Sequence, residues 1–221
     1  MSTLKQDLEA FKAEFTAKLP KDKADIMSRA DADLAASDIM KRALKAGDTA
    51  PDFILPDATG RKVSLYETLK QSPVILVFYR GGWCPYCNLE LRAYQRLLPE
   101  IRKAGAQLIA ISPQTPDASL STQEKNALAY PVLSDTGNAA AKAFGILFDM
   151  PAYLSELYAG FGNDLTAIND AGTWALPLPA TYVIGQGGKI LKAFVETNYR
   201  VRMEPQVALD AIIADQNKRA A

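Results

Sequence analysis

The stretch Phe78–Leu91, FYRGGWCPYCNLEL, holds both cysteines of the chain, Cys84 and Cys87, two residues apart. Before it runs the continuous apolar segment Val74–Tyr79 (VILVFY), the pattern of a strand buried on both faces. After it, CNLELRAYQRLLPEIRKAG carries apolar residues at helical spacing and stops at Gly105. Gly81 and Gly82 let the backbone turn sharply between strand and helix, and Pro85 suits a first helical position. This order predicts Cys84 at a helix N-terminus, where unpaired N–H groups and the positive end of the dipole favour a thiolate. Cys87 then lies one turn further on, on the same side, within reach of a disulfide after a small movement.

A free thiol with a pKa of about 8.5 is roughly 3% ionised at pH 7, and lowering the pKa to about 6 makes it roughly 90% ionised. Intrinsic nucleophilicity falls about tenfold over the same shift, so attack gains only about threefold. A depressed pKa mainly makes a better leaving group, and fast attack on a peroxide needs donors aimed at the breaking O–O bond. Zinc is a poor alternative, because it wants four ligands and the chain offers two sulfurs and no histidine. No metal or organic cofactor is expected. Two inert core cysteines are the other bland reading. The joint occurrence of strand, glycine turn, Trp-Cys-Pro-Tyr-Cys and helix favours redox chemistry.

Composition narrows the function further. The chain has 221 residues, suggesting one domain plus an extension. Its formal net charge is zero, which gives no support to nucleic-acid binding. With no histidine, Ser-His and Cys-His catalysis are ruled out. The start, MSTLKQDLEAFKAEF, has no apolar core of signal-peptide type, and no apolar run is long enough to span a bilayer. A soluble cytoplasmic protein is expected, and there two cysteines point to redox or metal chemistry rather than a structural staple.

Along the chain, residues 1–46 form a helical arm. Leu4, Leu8, Phe11, Phe15 and Leu19 mark one helix face, LPKD at 19–22 breaks it, and Ile26, Ala30, Leu34, Ile39, Met40 and Leu44 mark a second helix ending at Gly47. Packing on the main domain and homodimerisation both stand as readings of its narrow apolar stripe. Residues 47–221 read as alternating strands and helices, hence an α/β layered domain. PATYVIGQGGKILKAFVE is a hairpin and EPQVALDAIIADQNKR a closing helix. Residues 147–178, aromatic and punctuated by Gly and Pro, are expected to be an insertion, either a lid or a packing elaboration.

At these residues the sequence resembles the thioredoxin superfamily. WCPYC is similar to thioredoxin and glutaredoxin active sites, and LPATYVI at Leu178–Ile184 resembles the segment that carries their cis-proline, here Pro179. The flanks are similar to the peroxiredoxin (AhpC/TSA) branch: GDTAPDFILPDATGRKVSL, FY at Phe78–Tyr79, CNLEL at Cys87–Leu91 and VLSD at Val132–Asp135. The resemblance implies a thioredoxin-like fold, a central mixed sheet flanked by helices, over roughly the last 170 residues. In the peroxiredoxin frame Cys87 takes the peroxidatic position, whereas in the thioredoxin frame Cys84 attacks and Cys87 resolves. Arg80 replaces the family's proline, Asn88 follows Cys87 instead of proline, and the family's later arginine is not evident around Pro179–Thr181.

The resemblance implies an oxidoreductase that reduces hydroperoxides through a Cys84/Cys87 cycle and is restored by a dithiol donor such as thioredoxin or glutathione. Arg80 would supply a guanidinium beside the thiolate, with Trp83, Pro179 and Thr181 contacting substrate. Glu90 reads either as a buried proton shuttle or, the preferred reading, as a solvated helix residue. Exchange with protein disulfides is the runner-up function, supported by the intact CxxC and Pro179. A redox sensor that binds partners through its arm and insertion is the third.

Overall fold

The computed structural model describes residues 2–169 and 172–220. The sequence stretch 74–78 becomes β3 (Val74–Phe78), the central strand of a five-stranded sheet, with every residue buried. It pairs in parallel with β4 (Gln107–Ser112), which pairs in parallel with β5 (Val132–Ser134). On its other side β3 pairs antiparallel with β8 (Ala180–Ile184), and β8 with β9 (Ile190–Val195), the hairpin read from the sequence. The order is β5-β4-β3-β8-β9, a mixed sheet. A separate two-stranded ribbon, β1 (Ile54–Pro56) with β2 (Lys62–Ser64), precedes it.

The period of two along β3 divides the core. Ile75, Val77 and Tyr79 face a layer containing α5 (Pro85–Lys103) and α10 (Pro205–Ala220). Val74, Leu76 and Phe78 face the opposite layer, which includes α4 (Leu65–Leu69) and Phe144 at the end of α7 (Ala139–Ala143). The remaining main-domain helix, α6 (Pro116–Lys125), starts at a Thr115 cap whose hydroxyl accepts from Ala118 N–H.

The arm is three helices, not two: α1 (Leu4–Lys18), α2 (Lys21–Ala35) and the short α3 (Ile39–Arg42). Helix α1 opens on a Thr3 capping box with Gln6. Each helix packs on a different part of the chain's own domain. Leu4 and Leu8 join the core under α5, Met27 and Ala30 of α2 pack against the insertion, and Ile39 of α3 enters the opposite layer. Burying side chains such as Leu4 and Leu8 stabilises the docked arm by about 1.5–3 kcal/mol each, as an upper figure. Glu204, just before α10, adds a second clamp, its carboxylate accepting from the Leu4 and Lys5 N–H groups at 3.3 and 2.7 Å.

Residues 147–178 are bracketed by an antiparallel pair, β6 (Leu147–Asp149) and β7 (Ala175–Pro177). Between them lie α8 (Ala152–Gly160) and α9 (Leu165–Ile168). Helix α8 packs on α2, so insertion and arm cover the same flank of the domain. Among the described residues no helix is long and apolar enough to cross a membrane.

Candidate active site

Strand β3 delivers the chain to the site. Beyond it, Tyr79 N–H still donates to Ile111 O at 2.9 Å, and the backbone then turns through Gly81, whose φ of +146° favours glycine. A Cβ on Gly82 would stand 2.2 Å from Thr122 Oγ1, so glycine is required there by space rather than by φ. A buried polar ring holds the turn. Gly82 N–H donates to Gln114 Oε1 at 2.7 Å, Gly82 O accepts from Asn88 Nδ2 at 2.8 Å, and Asn88 Oδ1 accepts from Asn126 Nδ2 at 3.1 Å. Thr122 Oγ1 closes the ring by donating to Gln114 at 3.3 Å. Gln114→Ala should cost about 1–3 kcal/mol by stranding the Gly82 N–H. Urea unfolding checks this, and a loss below about 0.3 kcal/mol would mean the turn does not depend on that bond.

Cys84 is the N-cap of α5 and Pro85 its first residue, as the sequence predicts. Both thiols are free and buried, Cys84 at 2% exposure and Cys87 at 0%. The two sit in different electrostatic settings. Burial opposes ionisation of Cys84, but the Cys87 thiol, then the Arg80 and Arg202 charges, outweigh it and bring its pKa down to about 6. Cys87 goes the other way: burial, reinforced by the neighbouring Cys84 thiolate, pushes it well above an ordinary thiol.

Two guanidiniums frame the pair. Arg80 is 3% exposed, not a surface arginine, and stands in an aromatic cage. Its guanidinium carbon lies 4.9 Å from the Trp83 ring, 5.3 Å from Tyr158 and 4.3 Å from Tyr199, and Nη2 donates to Tyr158 Oη at 3.0 Å. Arg200 covers the Tyr199 ring at 4.2 Å and pairs with Asp31 of α2 at 2.5 Å. Arg202, also buried, extends Nη2 to within 3.5 Å of Cys87 Sγ while Nε donates to Glu90 Oε2 at 2.6 Å. Backbone carbonyls of Tyr199 and Val201 accept from its Nη1.

Several expectations need correction. Glu90 is not a solvated helix residue. It is fully buried, three residues after Cys87 on the same face of α5, and burial pushes its pKa up to about 7 against the opposing pull of Arg202. Thr181 does not face a substrate. It is 1% exposed and points its hydroxyl at Glu90 Oε1, 3.5 Å away. Pro179 is trans, since no cis peptide bond occurs among the described residues. It lines a cavity beside Arg80 and does not form the cis-proline ledge on which the protein-disulfide reading relied. No arginine stands at Pro179–Thr181; a buried guanidinium reaches Cys87 Sγ from Arg202, beyond β9, in the segment YRVRMEP. Trp83 lies against Arg80 and edge-on to Tyr158 at 5.5 Å. Tyr158 and Tyr199 were not singled out from the sequence, and they complete the cage.

The match that decides the family is to the AhpC/TSA family, over residues 46–193. The chain belongs to that family. The matched part begins where the helical arm ends. A peroxiredoxin Bcp of Escherichia coli K12 is 32% identical over 53% of this chain and 74% of its own length. A chloroplastic peroxiredoxin Q of Gentiana triflora is 29% identical over 74% of this chain and 63% of its own length. Among solved structures, peroxidoxin BcpB of Mycobacterium tuberculosis superposes with a TM-score of 0.60 at 26% identity, covering 77% of this chain and 97% of that one. The AhpC/TSA chain described here therefore has the thioredoxin-like fold of the peroxiredoxins, with a helical arm added before it.

Proposed function

We propose that this AhpC/TSA-family chain is a thiol-dependent peroxidase in which Cys84 attacks and Cys87 resolves. The observation that carries the assignment is position: Cys84 is the N-cap of α5, where unpaired N–H groups favour a thiolate and the Arg80 and Arg202 charges add to that pull, while burial pushes the Cys87 thiol, one turn further on, upward. The Cys84 thiolate attacks the terminal oxygen of a hydroperoxide, the O–O bond breaks, and the leaving alkoxide or hydroxide takes a proton. Cys84 becomes a sulfenic acid. The Cys87 sulfur then displaces its hydroxyl, releasing water and closing the disulfide. Two electrons and two protons from a dithiol donor of the thioredoxin type, or from two molecules of a small thiol such as glutathione, reopen it. Arg80 and Arg202 act as the donors that stabilise developing negative charge.

The low exposure of both sulfurs favours a small substrate over a protein disulfide, which needs contact with the sulfur itself. A cytoplasmic setting supplies the reductants this cycle needs. The contact of Arg202 with Cys87 favours a second assignment, with Cys87 attacking first as in the peroxiredoxin frame. Single serine variants separate the two. Cys87→Ser should still react with peroxide and accumulate a sulfenic acid that dimedone traps at Cys84, whereas Cys84→Ser should lose at least about 10²-fold in the rate of peroxide reaction. The reverse pattern would assign the attack to Cys87. A reduced unmodified chain that reacts with peroxide no faster than a free thiolate would remove the peroxidase reading.

A further inference from the structure

Beside Arg80 and Pro179 lies a cavity of about 370 Å³, at the small end of the range that holds organic ligands. Most of its walls come from the arm and the insertion, outside the strand, turn and helix that carry the cysteines. Ala30 and Leu34 of α2, Phe148 of β6, Leu154 of α8, and Leu178 and Pro179 before β8 make it apolar. Arg80 is the one charged wall residue that is buried, and it brings a second observation. Its Nε–H has no hydrogen-bond partner, and the only side-chain bond its guanidinium makes among the described residues is to the Tyr158 hydroxyl. A buried guanidinium left with unmatched donors is a costly arrangement unless an acceptor is supplied.

We propose that this cavity binds a small organic anion with an apolar body, a medium-chain or aryl carboxylate, whose carboxylate pairs with Arg80. The walls exclude a strongly hydrated ligand. A cation would meet the Arg80 charge, and a neutral apolar molecule would leave its donors unmatched. The acidic residues of the lining do not reverse this preference. Asp31 is paired with Arg200, Asp33 accepts from the Tyr153 hydroxyl and lies 3.8 Å from Arg29, and Asp149 is exposed at the rim, as is Arg42. The arm and the insertion thus have a joint role: each supplies one wall of a site that neither could form alone.

The test is calorimetric titration of the reduced, full-length chain with sodium octanoate, 1-octanol and sodium acetate. Octanoate should saturate with a Kd on the order of 0.1–1 mM, and octanol and acetate should each bind at least about tenfold more weakly. Ala30→Phe and Leu34→Trp narrow the cavity from α2 and leave the thiols and their arginines in place. Each should weaken octanoate at least about tenfold. Having two variants keeps the location testable if one of them misfolds. Octanol binding as tightly as octanoate, failure of octanoate to saturate, or octanoate affinity unchanged in a folded variant would each overturn the proposal. None of these readouts depends on peroxidase activity, so a failed peroxidase assignment would leave this inference standing, and the converse also holds.

Discussion

Arg202→Met should destabilise the chain by about 3–5 kcal/mol, because it leaves the Glu90 carboxylate buried without its partner. Both side chains are at most 1% exposed, so water cannot take over the lost contact. The same change removes one of the two guanidiniums assigned to stabilise developing negative charge at the Cys84 attack, and the rate of peroxide reaction should fall by about 10²-fold. The two effects separate in the double variant Glu90→Gln/Arg202→Met. There the buried charge is gone and most of the stability should return, while the slow reaction with peroxide remains. Urea midpoints at constant m-value measure the first effect and stopped-flow oxidation the second. A single-variant loss under about 1 kcal/mol would mean that the pair contributes little, against its burial.

Arg80→Met should raise the Cys84 midpoint from about 6 by about one to three units. The readout must be the titration curve. After a shift of about two units, the thiolate fraction at pH 7 falls about tenfold, but the more basic thiolate is intrinsically about eightfold more nucleophilic. The alkylation rate at pH 7 would barely move, while at pH 5.5 it should drop by about tenfold. The sign for stability follows from the same shift. Cys84 has a folded pKa below its ordinary value of 9.0, so its contribution to the reduced chain is complete above about pH 9 and is lost as pH falls through about 6. The Arg80 variant should show a smaller loss across that window. An unmoved midpoint would mean that Arg202 and the Cys87 thiol alone hold the thiolate.

The parts of this molecule legible in its sequence are those set by local physics. Strand β3 announced itself by an unbroken apolar run, α5 by its glycine turn, Pro85 and helical spacing, and the β8–β9 hairpin by GQGG. The partners that give the cysteines their different charges were not legible, because they come from afar. Arg202 lies 115 residues from Cys87, in a segment with no periodicity to assign it to a face. Glu90 left a signal that could have been used. It stands three residues after Cys87 and four before Tyr94, inside the stripe that continues through Leu98 and Ile101, and an acid in such a stripe must be buried with a partner. The trans state of Pro179 illustrates a different limit. A local resemblance of seven residues, LPATYVI, carried over the family's proline without the backbone around it. The aromatic cage, built from three separate segments, left no trace in any one of them.

The clamp that Glu204 places on the first turn of α1 also bears on the order in which the ribosome makes this chain. At about 5–20 residues per second, Arg202 emerges roughly 6–23 seconds after Cys87. Throughout that interval the nascent polypeptide carries both thiols, but neither the charge nor the anchored arm that completes their surroundings. A product released early, short of residue 202, would keep its WCPYC motif and Arg80 but lack the guanidinium that pairs with Glu90 and reaches Cys87 Sγ. The reactive centre is thus completed only once a segment 115 residues downstream of Cys87 has been made and docked.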